Sequence, residues 1–302
     1  GATSAVRNVS GVTSATMAYV KERLVVGINN VLYEVPATAG GGALPSPVYT
    51  HPNTSWRWTS ISESGAAIYA AGYVNDQSAV LKFNLDTTGA MPVLTSAITA
   101  AVLPKGEVIH GIYVHLMTYM MIGTNKGVRA GLISDATGNI TYGPLIIHTG
   151  HPVYNFAAHD SFVYCASSLS QYDEGENYPG LYCIDLSNEI DNLRFAYSSY
   201  IYAEDIADGI AIDVCHLGKS NQLAFICGAT TSAIVPSGAL GLYVQSATEV
   251  YSSGWIQTGY IRFNTLEQKN FKRIVGRGDF GVSPEFDGTG STKGSMTIAS
   301  VD

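Results

Sequence analysis

Asp86-Thr87-Thr88-Gly89 and Asp135-Ala136-Thr137-Gly138 are nearly one phrase written twice. Aspartate first and glycine last is the chemistry of a tight turn: the carboxylate can cap nearby amides, and glycine tolerates a left-handed backbone. Each turn leaves one strand-like run, Val80 to Leu85 or Val128 to Ser134. Each enters another, Met91 to Ile98 or Ile140 to Ile147. Two strand–turn–strand phrases about fifty residues apart announce a repeat.

Working outward, an apolar run that closes on a small residue recurs five times: Leu24 to Gly27, Ile68 to Gly72, Met120 to Gly123, Phe162 to Ala166 and Ala224 to Gly228. Their spacing, roughly 45 to 60 residues, is that of a propeller blade with some loop insertions. A strand-like segment precedes each run: Thr13 to Tyr19, Trp56 to Ser62, Val108 to Val114, Val153 to Ala158 and Ile210 to Cys215. A third follows it: Val31 to Val35, Val80 to Leu85, Val128 to Ser134, Leu181 to Leu186 and Leu242 to Ser246. A fourth closes the unit: Leu44 to Tyr49, Met91 to Ile98, Ile140 to Ile147, Leu193 to Ser198 and Trp255 to Phe263.

The expected fold is therefore all-β, a β-propeller of five four-stranded blades over 12–50, 55–98, 107–147, 152–198 and 209–263, within a domain spanning 1–263. A lone four-stranded sheet buries its faces poorly, whereas blades packed radially shield one another and leave only short edges. The small residues that close the apolar runs suit a crowded region near the axis. A pair of β-sandwiches explains the alternation but not the repeated turns.

Composition agrees. Charged residues make up 13% against 46% hydrophobic, with 32 Gly and 19 Tyr. This suits short strands and turns rather than helices with Lys- and Glu-rich faces. The net charge of −8 argues against a nucleic-acid grip on phosphates, and Lys269, Lys272, Arg273 and Arg277 read as a solvated face. No apolar run reaches the length of a membrane span, and residues 1–10 lack a signal-peptide core. Cys165, Cys183, Cys215 and Cys227 form no C-x-x-C pair, so zinc is not expected; buried thiols are the simple reading, with a Cys165–Cys183 cross-strand disulfide left open.

Beyond Phe263 the pattern changes, and 264–302 reads as the start of a further β module. Tyr251-Ser252-Ser253-Gly254-Trp255-Ile256-Gln257-Thr258-Gly259-Tyr260-Ile261-Arg262-Phe263, then Lys269-Asn270-Phe271-Lys272-Arg273-Ile274 and Gly294-Ser295-Met296-Thr297-Ile298, resemble minor tail proteins of long-tailed actinobacteriophages. The resemblance covers about 45 residues. It implies a virion tail component assembled in the host cytoplasm, oligomeric, joined to other tail or baseplate proteins, and without catalytic residues to carry over.

Candidate contact residues are aromatic. Trp56 and Trp58 alternate on one strand and share a face; packed between blades they are core, exposed at a rim they would stack on a sugar ring. Tyr172, Tyr178 and Tyr200, in long loops, suit glycan or protein contact. Asp173, Glu174 and Glu176 could hold calcium, but an exposed acidic turn is the simpler account. Glu204, Asp205, Asp208 and Asp213 offer paired carboxylates for glycoside hydrolysis. The seven histidines form no metal-binding motif, although His148 and His151 could meet near one rim. The expected function is accordingly a non-enzymatic tail-tip component without cofactor or metal, possible host cell-wall glycan contact, no nucleic-acid partner and no membrane insertion. A carbohydrate-binding propeller and, behind it, a glycoside hydrolase are the alternatives.

Overall fold

A computed structural model describes residues 9–35, 45–65, 67–170, 177–203, 209–229 and 241–246. The chain divides into two units, 1–245 and 246–302. The second, apart from Ser246, lies outside the described residues, and so do the expected strands within 255–299 and every stretch that carries the phage-tail resemblance.

All described regular structure is β-strand, in five antiparallel sheets arranged as a five-bladed propeller. Blade 1 is β1 (Ala15–Val20), β2 (Arg23–Ile28), β3 (Val31–Val35) and β4 (Pro47–Thr50). Blade 2 is β5 (Arg57–Ser64), β6 (Ala67–Val74), β7 (Gln77–Asn84) and β8 (Ile98–Val102). Blade 3 is β9 (Ile109–His115), β10 (Tyr119–Thr124), β11 (Gly127–Ile133) and β12 (Ile140–His148). Blade 4 is β13 (Phe156–His159), β14 (Phe162–Ser170), β15 (Asn177–Asp191) and β16 (Arg194–Tyr202). Blade 5 has β17 (Gly209–Leu217), β18 (Gln222–Ala229) and β19 (Gly241–Val244) among the described residues. Strands pair in chain order within every sheet.

The five apolar runs are the second strands, and their unbroken hydrophobicity has a structural cause. In β6, Ile68 and Ala70 enter the core shared with blade 1, while Tyr69 and Ala71 enter the core shared with blade 3. In β10, Met120 and Ile122 face blade 2 and Met121 faces blade 4. A strand covered on both faces loses the apolar–polar alternation of a half-exposed strand. Four such cores join blades 1–2, 2–3, 3–4 and 4–5. Each fully buried large side chain, such as Trp58, Phe83 or Phe195, contributes about 1.5–3 kcal/mol. Among the described residues no comparable cluster joins blade 5 to blade 1.

What crowds the closing glycine of β10 is the segment entering the next blade: a Cβ on Gly123 would stand 2.5 Å from the Val153 carbonyl oxygen. The repeated turns also face a neighbour. In the first, Asp86 Oδ1 accepts the Thr88 amide at 2.8 Å and the Ala90 amide at 2.9 Å, and the Thr88 carbonyl accepts from Arg23 of blade 1 at 3.3 Å. In the second, Thr137 and Gly138 carbonyls accept from Lys82 Nζ and Tyr69 Oη of blade 2, both at 2.8 Å. The shared turn sequence thus serves a shared task, docking one blade on its predecessor. The internal caps differ, because Ser134 and Thr137 rather than Asp135 hold the second turn.

The inner strand of each blade is a sheet edge whose amides need partners. For β9 the neighbouring blade supplies them: Ser60 Oγ accepts the Ile112 amide at 3.0 Å and Ser62 Oγ the Val114 amide at 3.1 Å. Ser64 Oγ donates to the Met117 carbonyl at 3.0 Å. Serines two residues apart fall on one face of β5, so Ser60-Ile61-Ser62-Glu63-Ser64 reads as a ladder of hydroxyls. A second polar lock is Arg129, whose Nε and Nη2 donate to Glu107 at 2.8 and 2.6 Å and whose Nη1 donates to the Gly143 carbonyl at 2.7 Å. Both side chains are largely withdrawn from water.

Two expectations are corrected. The fourth strand of blade 2 is Ile98–Val102, not Met91 to Ile98. Met91 and Leu94 turn into the blade 1–2 core from a loop that contains Pro92, so their apolarity reports burial rather than extension. The Cys165–Cys183 disulfide is excluded by register: Cys165 pairs with Tyr182 and Cys183 with Tyr164, which sends the thiols to opposite faces of blade 4. All four cysteines are free.

Candidate functional site

A concavity lies between the outer strands of blades 1 and 2. β4 ends at Thr50, and the chain then turns through His51-Pro52-Asn53-Thr54-Ser55. The turn is pinned by the His51 amide donating to the Asn30 carbonyl at 2.9 Å, by Asn30 Nδ2 donating to the His51 carbonyl at 2.9 Å, and by Asn53 Oδ1 accepting the Ser55 amide at 2.9 Å. It folds the next residue back, so that the Trp56 indole lies flat on the His51 imidazole, with centroids 4.2 Å apart and planes at 13°.

Trp58 meets Trp56 edge-on at 5.5 Å, and Tyr49 meets Phe83 at 5.3 Å and Trp58 at 6.1 Å. Edge-to-face contacts of this kind align ring quadrupoles and fix the geometry of the cluster. The glycine that closes β6 makes room for it: a Cβ on Gly72 would stand 2.5 Å from Trp56 Nε1. That nitrogen is buried without a hydrogen-bond partner, as is Trp58 Nε1.

The resulting open cleft has a volume of about 510 Å³. Tyr49, His51 and Trp56 form one wall; Gln77, Ser78 and Ala79 of β7 form another; Thr95 to Ala97, Thr99 and Val102 complete it. Among the described residues no Asp, Glu, Lys or Arg lines it. Burial pushes the His51 pKa below its ordinary value, opposed by the Asn53 backbone, so the ring is neutral at neutral pH. Burial likewise pushes the Tyr49 phenol up, opposed by the Ala97 backbone. The site offers apolar and aromatic surface with neutral hydroxyl, amide and imidazole groups. Among the described residues it contains no carboxylate pair and no activated nucleophile.

Titratable groups also gather where the inner hairpins end. His159 and His216 stack at 4.4 Å, and His159 Nδ1 is 3.5 Å from Asp160 Oδ2. His115 is buried; its ring reaches the Asp160 backbone, while Nε2 has no partner. Stacking directs ring faces rather than nitrogens at one another. Among the described residues no group of three or more His, Cys, Asp or Glu is arranged to hold a metal ion.

The aromatic residues singled out from sequence are dispersed. Trp56 and Trp58 share a face as expected, and at 4% and 1% exposure they are packed between blades as core, the first of the two readings offered for them. On blade 4, Tyr178 is half-buried beside Tyr202 at 5.7 Å. Tyr200 is exposed on β16 and its hydroxyl accepts from Gln245 Nε2 at 3.2 Å. Tyr172, the acidic loop 173–176, Glu204, Asp205 and Asp208 lie outside the described residues. Asp213 binds Asn155 Nδ2 and the Val214 amide rather than a second carboxylate. His51, Gln77 and Ser78 carried no motif; the only signal was a His-Pro-Asn turn ahead of two tryptophans.

No protein-family model matches the chain, and no curated protein matches it. Solved structures do. A point mutant of the Synechocystis apocarotenoid oxygenase is 11% identical, with 76% of this chain and 55% of that one covered and a TM-score of 0.45. The cobalt-substituted Synechocystis enzyme is 11% identical, with 76% and 59% covered and a TM-score of 0.43. A chimera of that oxygenase with RPE65 is 10% identical, with 72% and 53% covered and a TM-score of 0.42. The chain spans a little over half the length of these structures.

These matches correct two expectations. The chain was expected to be a non-enzymatic phage tail component; the solved structures it matches are named as oxygenases, so neither that function nor the exclusion of an enzyme is kept. At this identity and these TM-scores the likeness carries no substrate, metal or reaction to this chain.

Proposed function

We propose that this protein binds a neutral small molecule, with an apolar ring or chain and few polar groups, in the cleft between blades 1 and 2. The observation that carries the reading is the lining: about 510 Å³ walled by Tyr49, His51 and Trp56, without one charged side chain among the described residues. Small-molecule sites are typically concave and mostly apolar, with a few placed polar groups. Here Gln77 and the hydroxyls of Thr95, Ser96 and Thr99 supply the polar groups. A charged ligand would lose its hydration and meet no counter-charge.

Tryptophan fluorescence tests this directly, because Trp56 forms part of the wall. Uncharged aromatic alcohols and ketones are titrated against their carboxylate and ammonium analogues. The neutral series is expected to change the emission saturably, and Thr99→Phe, which adds bulk to the lining, to weaken that response. Equal responses to charged analogues, or a response untouched by Thr99→Phe, would remove the proposal.

A further inference from the structure

The four packed blade junctions are an internal control for the fifth, between blades 5 and 1. At three of them the second strand of one blade lies against the first strand of the next: β2 on β5, β6 on β9 and β14 on β17. The first strands meet that neighbour with apolar side chains, Trp58 and Ile61 in β5, Ile112 in β9, Ala211 and Val214 in β17.

Blade 1 carries the same device on its other side. Ala18 and Val20 of β1 enter the core shared with blade 2, so Met17 and Tyr19 point the opposite way. They are 71% and 74% exposed. Register continues each into a row across the blade, Met17–Val26–Tyr33 and Tyr19–Leu24–Val35, in which no residue is charged. Blade 5 has the matching face. Phe225 and Cys227 of β18 enter the core shared with blade 4, so Ile226 points away from it, beside its register partner Leu242. These two are 40% and 67% exposed. A sheet with one face in water alternates apolar and polar residues; these two blades are apolar on both faces. Five blades in chain order around an axis leave only these two faces free, and both border the same gap.

We infer that blade 5 closes onto blade 1, with Ile226 of β18 seating on Met17 and Tyr19 of β1, and that this junction is the seam at which the ring opens and closes. The repeat supplies the pairing, because β18 and β1 are the second and first strands that meet at the other junctions. Among the described residues blade 1 is built from β1 to β4 alone, and no strand from the far end of the chain pairs into it. The seam is therefore held by non-directional apolar contact and parts without breaking a hydrogen-bonded ladder.

Thermal melting of the full chain tests this. Met17→Asp and Ile226→Lys are each expected to lower the melting temperature by at least about 3 °C. The double variant is expected to lose clearly less than the sum, because the two new charges meet across the seam. Val93→Asp, at a loop residue also 74% exposed, is expected to change nothing. If Ile226→Lys fails to fold, Leu242→Lys takes its place in the cycle. Neutral single variants would show that the faces stay in water, and strictly additive losses that something other than the opposite blade covers each. A wild-type melting temperature that rises with protein concentration would assign the cover to a second copy. Each of these results would overturn the inference.

Discussion

Ser60 Oγ of blade 2 accepts the backbone amide of Ile112 in blade 3 at 3.0 Å. One side chain thus joins two blades and satisfies an edge amide with no ladder partner of its own. Ser62 repeats the device at Val114. Replacing Ser60 by Ala should cost about 1–3 kcal/mol, because the amide loses its acceptor, while Ser60→Thr should cost less. Urea unfolding curves decide it; equal losses for Ala and Thr would assign the effect to packing.

Arg129 and Glu107 form a largely buried two-pronged pair. Their hydrogen bond holds the Arg129 pKa above its ordinary value despite partial burial. Arg129→Met should destabilise by about 3–5 kcal/mol by stranding the Glu107 carboxylate. Adding Glu107→Leu should recover much of that loss. A double variant as unstable as the single one would point to lost contacts with Gly143 and Tyr142.

Gly72→Val should displace the Trp56 indole, because a Cβ already meets Nε1 at 2.5 Å and the Arg57 carbonyl at 2.6 Å. Overpacking of this kind costs about 1–3 kcal/mol. The expected signature is lower thermal stability together with a changed tryptophan emission. Unchanged emission would mean that the backbone, not the ring, had moved.

Burial lowers the pKa values of His51, His110 and His115. The unfolded chain, with histidines near 6.5, then binds more protons than the native state as pH falls below about 7. The histidine contribution to stability should be flat above pH 7 and decline from there down to the native pKa values. The urea midpoint should be lower at pH 5.5 than at pH 7.5, and His115→Gln should reduce the difference. A midpoint that rises on acidification contradicts this sign.

Burial also raises the thiol pKa values, Cys183 to about 11 and Cys227 to about 12, and Cys165 is wholly buried. Cys215 is exposed. A thiol-specific chromogenic reagent should therefore label one cysteine per native chain quickly and the other three only on unfolding. Rapid labelling of two or more would show that blade 4 or the blade 4–5 junction opens readily.

The sequence by itself determined the repeat, and with it the fold class, because strand and turn chemistry are local. The turns Asp86 to Gly89 and Asp135 to Gly138, and the apolar runs that became the second strands, needed no neighbours to be read. Where an apolar residue serves the core from a loop, as Met91 does, local reading turned burial into a strand. Only the tertiary structure decided what those units do to one another. Register sent Cys165 and Cys183 to opposite faces, burial withdrew Trp56 and Trp58 from the surface, and two strands distant in sequence from Trp56 closed a cleft around His51. Each of these depends on which faces meet across blades, and a spacing along the chain does not specify that.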